Sequence, residues 1–225
     1  MELHELSNTM TGALLSYVGR EGGTDKIEAI LELAGERRSI AELCDPTKWG
    51  SYDQAHALFT AAVLVMNDPD IGRAAGKELV RSNFSGLGTF LSSLKGPAEV
   101  IELVSEIGAK SSTVTDIEAV EVTADSALVS ARTKSPITRD KIFCSYTAGV
   151  LSLLPQLFGM DCAEVTEIKC QARGDMRCLY KVTWDPSTDP EKSPERHIAY
   201  LKSQISALTD RMESLETIAA DLVSE

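Results

Sequence analysis

The chain has 225 residues, 43% of them apolar and 25% charged, which suits one globular core or one domain with an appendage. A net charge of −12, with an isoelectric point near 4.8, argues against a nucleic-acid partner, since phosphate contacts need a basic surface. No apolar run approaches the roughly 20 residues that span a bilayer, the first residues lack the pattern of a signal peptide, and five cysteines suit a reducing compartment, so the sequence reads as soluble and cytoplasmic, with no membrane partner.

The first hundred residues read as helices. Leu3 to about Tyr17 carries apolar residues at helical spacing and Gly22-Gly23 ends it; Thr24 or Asp25 caps the next helix, Lys26 to Gly35. Ser39 opens a short helix that Pro46 closes. Ser51-Tyr-Asp-Gln54 has the form of a capping box before Ala55 to Met66, which is apolar almost all round and therefore expected to be buried. Asp68-Pro-Asp70 begins a helix through Ala74 and Leu79, Gly86 and Gly88 interrupt the stretch after it, and Gly96-Pro97 starts a helix ending near Gly108.

The period then changes. Ile117 to Thr123 alternates, Ala124-Asp125-Ser126 turns, and Ala127 to Thr133 returns, which reads as an antiparallel hairpin. Ile137 to Phe158 is helical, with Cys144 near its start. Two more strands, about Ala163–Ala172 and Met176–Trp184, form a second hairpin around Gly174-Asp175. Helices followed by paired hairpins, without strand–helix alternation, indicate an α+β fold: a helical N-terminal region and an antiparallel sheet covered by helices.

From Pro186 the composition shifts to a polar, proline-rich linker, 186–195. The segment 196–225 follows with a heptad pattern. Ile198, Ile205, Met212 and Ala219 occupy position a; Leu201, Leu208, Leu215 and Leu222 occupy position d. Ile at a with Leu at d favours a parallel two-stranded coiled coil, hence a homodimer. Arg211 at g meets Glu216 at e of the partner helix in that arrangement. An amphipathic helix packed on its own domain is the other reading. The expected division is a sensor-like domain 1–185 (helical region 1–68, core 70–185), the linker, and a signalling helix.

Chemistry concentrates in the second hairpin. Glu167-Ile-Lys-Cys170-Gln-Ala-Arg-Gly174-Asp-Met-Arg-Cys178 is E-x2-C-x7-C, with Cys144 placed 26 residues before Cys170. Three thiolates and a carboxylate can close a tetrahedral structural zinc site, and a three-residue loop centred on Gly174 sets Cys170 and Cys178 on one face. Glu167 lies at odd parity from Cys170, so a shared site needs a bulge or loop between them. Buried core thiols and a disulfide are the other uses of the same cysteines.

At these residues the chain resembles the 4-vinyl-reductase domain superfamily, which includes the input domains of phenol- and xylene-responsive activators. The likeness is carried by Cys144, Glu167, Cys170 and Cys178, by Cys144-Ser-Tyr-Thr-Ala-Gly149, and by Tyr180-Lys-Val-Thr-Trp184, over roughly residues 70–185. It is similar too to N-terminal regions of actinobacterial signalling proteins with "STVT" (Ser112–Thr115) and "CQARG" (Cys170–Gly174) segments. The resemblance implies zinc at those four positions, and an apolar cavity drawing on Phe143, Tyr146, Val150, Leu153, Leu154, Phe158, Phe84, Phe90 and Trp184. It also implies an output domain beyond the coiled coil, such as a diguanylate cyclase or kinase. The N-terminal helices depart from the phenol sensors, so phenol itself is not carried over.

No phosphate-binding loop, nucleophile elbow, zincin or dinucleotide motif occurs in a credible context. Ser85 has Asn83 and Leu87 where an elbow needs glycines; His4, His56 and His197 are scattered, and none is near the cysteines. The sequence therefore reads as a non-enzymatic input domain that binds a small apolar or lipid-like ligand. A ligand-free dimerisation scaffold is the runner-up, and a tetrapyrrole reductase the third reading.

Overall fold

A computed structural model of the chain describes residues 4–91 and 94–189, by backbone alone from 83 to 91. Of the final segment it describes four positions, Ile198, Lys202, Ile205 and Thr209. Those four are helical, and Ile198 and Ile205 are exposed; the rest of the expected coiled coil, including Leu201, Leu208, Met212, Leu215 and Leu222, lies outside the described residues.

The fold is α+β, as expected. Residues Leu6–Ser7 form a short strand β1, antiparallel to β2 (Trp49–Gly50). The first helix, α1 (Thr9–Gly22), therefore begins later than periodicity suggests. The reason is local: buried Asn8 donates to Glu42 O at 2.7 Å and the Glu5 carboxylate accepts from Tyr52 N at 2.8 Å, which holds the first residues extended. Next come α2 (Thr24–Ala34), α3 (Ile40–Cys44) and α4 (Tyr52–Met66). Both α3 and α4 open on full capping boxes, Ser39 with Glu42 and Ser51 with Gln54, each reciprocal pair contributing about 1 kcal/mol. Helix α4 buries Tyr52, Ala55, Leu58, Phe59, Ala61 and Ala62 but leaves Leu64 exposed, so it is one-faced rather than buried all round.

Helix α5 runs unbroken over Ile71–Leu91. Gly86 and Gly88 lie inside it; each costs a helix only about 1 kcal/mol, which tertiary packing overrides. The Gly96–Gly108 stretch splits instead, at Leu103, into α6 (Pro97–Glu102) and α7 (Val104–Ala109). Strands β3 (Thr115–Val122) and β4 (Ser126–Thr133) form the first hairpin, and β5 (Glu164–Lys169) and β6 (Cys178–Thr183) the second. Between them lies α8 (Lys141–Leu153), continued by a 3-10 turn, Leu154–Phe158. The strand order is β3-β4-β6-β5, all antiparallel, so β4 and β6 join the hairpins at the centre.

Two apolar cores result. One lies among α1 to α5 and takes Phe143 and Tyr146 from α8. The other lies between the sheet and α6 to α8, and includes Val100, Ile101, Val129, Leu151, Tyr180 and Val182. Helices α5 and α8 run between the two cores and cross almost backbone to backbone. A Cβ at Gly72 would strike Ile142 O, one at Gly76 Tyr146 O, and one at Gly149 Arg73 O.

Candidate functional site

The hairpin between β5 and β6 is built to bring its cysteines together. The register shifts between Glu167 and Lys169, a bulge that resolves the parity problem and turns Glu167 toward Cys170. The turn is a 3-10 segment, Gln171–Arg173, closed by Gly174 at φ +99°, a conformation glycine adopts without a Cβ penalty. Asp175 locks it by accepting from Cys170 N at 2.8 Å, while the Gln171 amide bonds both Thr133 N and Thr133 O at 2.9 Å. The turn is thereby fixed to the end of β4.

Cys144 comes from the first turns of α8, where Asp140 caps the helix by accepting from Ile142 N. Cys144, Cys170 and Cys178 are buried, and their sulfurs with a Glu167 carboxylate oxygen all lie within 4.8 Å of one another. The sulfur separations are 3.5 Å (Cys144–Cys178) and 3.7 Å (Cys144–Cys170). Two thiolates bound tetrahedrally to one ion at about 2.3 Å stand about 3.8 Å apart, so the set is near metal-binding geometry. All five cysteines are free, so the cluster is not a disulfide. Glu167 Oε2 pairs with Arg173 at 3.2 Å, but its buried Oε1 has no hydrogen-bond partner among the described residues. A buried acceptor left unsatisfied costs about 1–3 kcal/mol, which an ion among these donors would relieve.

Arg139 sits against the cluster, 4% exposed. Its Nε donates to Cys144 Sγ at 3.4 Å, Nη1 to Thr133 Oγ1 at 3.1 Å, and Nη2 to Phe143 O at 3.1 Å and Thr147 Oγ1 at 2.9 Å. Burial opposes its charge, but the acidic groups of Tyr180, Cys144 and Cys178 outweigh that and raise its pKa. The hydrogen bond from Cys144, then Arg139 and the Gln171 N–H, hold the Cys178 thiol's pKa down, while the same bond and burial push that of Cys144 up.

Beside this cluster is a cavity of about 180 Å³ between the two cores. Met10, Leu79, Val100, Val104, Ile107 and Ile117 supply much of its apolar wall; Thr115, Tyr52, Arg139 and Thr147 also line it. Of the residues expected around a ligand, Phe143, Tyr146, Val150 and Leu154 line this cavity. Leu153, Phe158 and Trp184 pack instead in or against the sheet-side core, and the Phe84 and Phe90 side chains lie outside the described residues. Sequence reasoning missed Tyr52, Arg139 and the α6–α7 wall. A charged residue just before a capped helix rich in apolar positions was the one available signal for Arg139. The Tyr52 oxygen accepts from Asp140 N at 2.9 Å, and burial pushes the phenol's pKa up to about 12. His56 pairs with Asp140 at 3.3 Å on the surface side, 41% exposed.

Among the described residues, no helix is long and apolar enough to cross a membrane. No family model matches the chain, and no curated protein matches its sequence. Solved structures do match its fold. An H-NOX protein from S. oneidensis in the Fe(II)NO state aligns with a TM-score of 0.64 at 14% identity, over 80% of this chain and 99% of that one. Unliganded Fe(II) H-NOX from K. algicida aligns at 0.60 and 12% identity over 80% and 97%. An oxygen-binding H-NOX domain related to soluble guanylate cyclases aligns at 0.60 and 14% over 80% and 95%. These neighbours correct two expectations. The likeness runs to H-NOX domains rather than to 4-vinyl-reductase domains: the cysteine motif speaks only for the C-terminal half, whereas the H-NOX match spans four-fifths of the chain. Zinc, expected as the cofactor through that resemblance, is withdrawn with it, since the matching structures are described by Fe(II) and heme. What the comparisons establish for this chain is its fold, an α+β arrangement shared with H-NOX domains.

Proposed function

We propose that the chain is a ligand-sensing input domain that takes a small apolar molecule into the cavity between its two cores. The observation that carries this reading is the position of the cavity: its wall draws on α1 and α4 from one core and on α6, α7, β3 and β4 from the other, with α8 along it. A ligand touching both cores favours whichever packing of them fits it and so shifts the population toward that packing. The 196–225 segment, as a parallel coiled coil in a homodimer, would carry the change to an output module, and catalysis would belong to that module.

The H-NOX likeness invites haem as the sensing group, and the residues do not fit it. Iron is held axially by His, Cys, Met or Tyr. Among the described residues no histidine or cysteine lines the cavity, His56 is turned out to Asp140, and Met10 of the wall lacks the histidine that shares the iron with a methionine ligand in cytochromes. The phenol of Tyr52 is held protonated by burial, as is that of Tyr146. At about 180 Å³ the space also falls below the roughly 300–1,000 Å³ of pockets for drug-sized ligands, which are smaller than a porphyrin.

We propose further that Cys144, Glu167, Cys170 and Cys178 hold a metal ion that fastens α8 to the hairpin. The support is the near-tetrahedral sulfur spacing and the orphaned Glu167 oxygen. The test of the sensor reading is native mass spectrometry before and after denaturation, with thermal shift in benzene or cyclohexane. A small mass lost on denaturation, or a rise in Tm with either probe, is expected. Neither effect would leave a dimerisation scaffold whose cavity takes nothing.

A further inference from the structure

We propose that the outer face of the sheet docks a second copy of this chain, about a two-fold axis that runs parallel to the strands between β4 and β6. This rests on the homodimer read from the 196–225 heptads and gives it a second interface. The inner face packs on α6 to α8, and burial alternates along the central strands, with Val129, Ala131, Tyr180 and Val182 turned inward. On the outer face each strand contributes one apolar side chain: Val120 from β3, Leu128 from β4, Leu179 from β6 and Ile168 from β5. Val120 and Ile168 are 53% and 51% exposed, while Leu128 and Leu179 are partly exposed. Both edge residues owe their direction to a bulge. The register skips Val120 between Ala119 and Glu121, and Ile168 between Glu167 and Lys169, so each stands outward beside an outward neighbour.

The charges of this face complement a second copy. A two-fold axis in the interface lays β3 over the partner's β5, and β4 over the partner's β6. Glu118 is level with Ser130, Leu179 and Lys169, so it meets the partner's Lys169; its bond to Arg177 leaves it well exposed. Lys181 is level with Leu128 and Glu121, so its stem covers the partner's Leu128 while its ammonium reaches the partner's Glu121. Glu164 is level with Thr183 and Ser126, away from the β3 carboxylates. Val120 faces the partner's Ile168 with an offset of about one residue, roughly 3 Å along the strand. Leu128 and Leu179 lie beside the axis and fill the middle. Every such contact occurs twice, as an isologous interface requires.

The direction of the axis follows from the heptads. An axis along the strands preserves their direction, so both copies of β6 end on the same side of the dimer and both chains leave there. Sheets about 10 Å apart, with strands about 4.8 Å apart, then set the two β6 strands about 11 Å from each other. Helices of a coiled coil lie about 8–10 Å apart, so the two 196–225 segments start near the spacing they need. An axis across the strands would send the segments from opposite ends, where a parallel coiled coil cannot form. By strand length and spacing the face offers roughly 400 Å² per copy, against about 800 Å² in a standard interface. The sheet pairing therefore depends on the coiled coil for stability and orients the two bodies beside it.

The experiment measures dimerisation of the full chain by sedimentation equilibrium for the wild type, Val120→Asp, Ile168→Lys and the double variant. Both positions are more than half exposed, so the fold tolerates the charges. Within one copy they stand three strand spacings apart, about 14 Å, beyond the screening length of about 8 Å in physiological salt. Only the partner brings the new charges together. Each single variant is expected to raise the dissociation constant about tenfold, since a charge is set against an apolar side chain twice. The double variant should recover most of that loss. If neither single variant shifts the constant, or the double variant recovers nothing, the sheet interface is overturned and the coiled coil stands. A monomeric wild type removes the coiled-coil dimer and this interface together. The sensor reading is judged apart from both, by the thermal response to cyclohexane, which neither substitution should change because neither residue lines the cavity.

Discussion

Three glycines set how close the two halves of the domain come. Gly72 and Gly76 on α5 and Gly149 on α8 each stand where a Cβ would strike the opposite helix's carbonyl oxygen, and a backbone cannot yield as a side-chain tip does. Gly76→Ala is expected to cost about 1–3 kcal/mol by overpacking, read as a fall in the denaturation midpoint. Gly96→Ala is the control. Its φ of 162° is ordinary extended backbone and nothing lies within 4 Å of the added carbon, so its midpoint should barely move. At the hairpin, Cys178→Ser should lower metal content and thermal stability together. Metal retained at the wild-type ratio would remove Cys178 from the proposed site. The serine is nearly isosteric, so a lone fall in Tm would mark the thiol as core packing.

At the scale of elements, the departures from periodicity have local causes. The Glu167–Lys169 bulge lets a strand residue share a site with a turn residue three positions on, which a regular strand forbids. The division at Leu103 gives α6 and α7 separate orientations: Val100, Ile101 and Val104 are buried, and Gly108 lies against Ile117, where a Cβ would meet the isoleucine Cγ2. The final segment is defined mainly by its heptads. Leu208→Asp, a charge at a d position, should weaken dimerisation in sedimentation. A dimer of unchanged strength would show that the globular body holds the pair. Ile198 and Ile205, both at position a, are more than half exposed in the single chain, as a seam awaiting a partner would be.

At the scale of the molecule, the body extends slightly beyond the boundary read from composition. Asp185 caps the turn Pro186–Thr188, Thr188 is buried, and its hydroxyl accepts from Asp161 N at 3.1 Å. A truncation after Asp189 is therefore expected to leave a folded monomer that keeps its thermal response to cyclohexane. An aggregated product would show that the last helix completes the core.

The fold class and both hairpins were legible in the sequence, because strand alternation is a short-range signal; the gathering of Cys144, Glu167, Cys170 and Cys178 was read from spacing together with the family likeness, since spacing alone leaves buried core thiols open. The long-range features were not. Nothing local marks Gly72, Gly76 and Gly149 as contact points rather than helix breakers. Arg139 reads as a surface residue until α8, β4 and the hairpin close around it, and Tyr52 reads as an ordinary first-turn residue until Asp140, 88 positions away, meets its hydroxyl. The N-terminal helices carry no motif, so the family likeness read from the cysteines could not weigh them.

The glycine crossing has a mechanical side. Where two helices touch through their backbones there is no layer of side chains to absorb a displacement by changing rotamer. A push on α8 from the cavity would therefore reach α5 as movement of a whole rod instead of being absorbed at the crossing. If the cavity takes an occupant as proposed, the α5–α8 pair would act as a stiff axle and the cavity beside it as a soft chamber, so that the occupant's strain would be delivered along the helices.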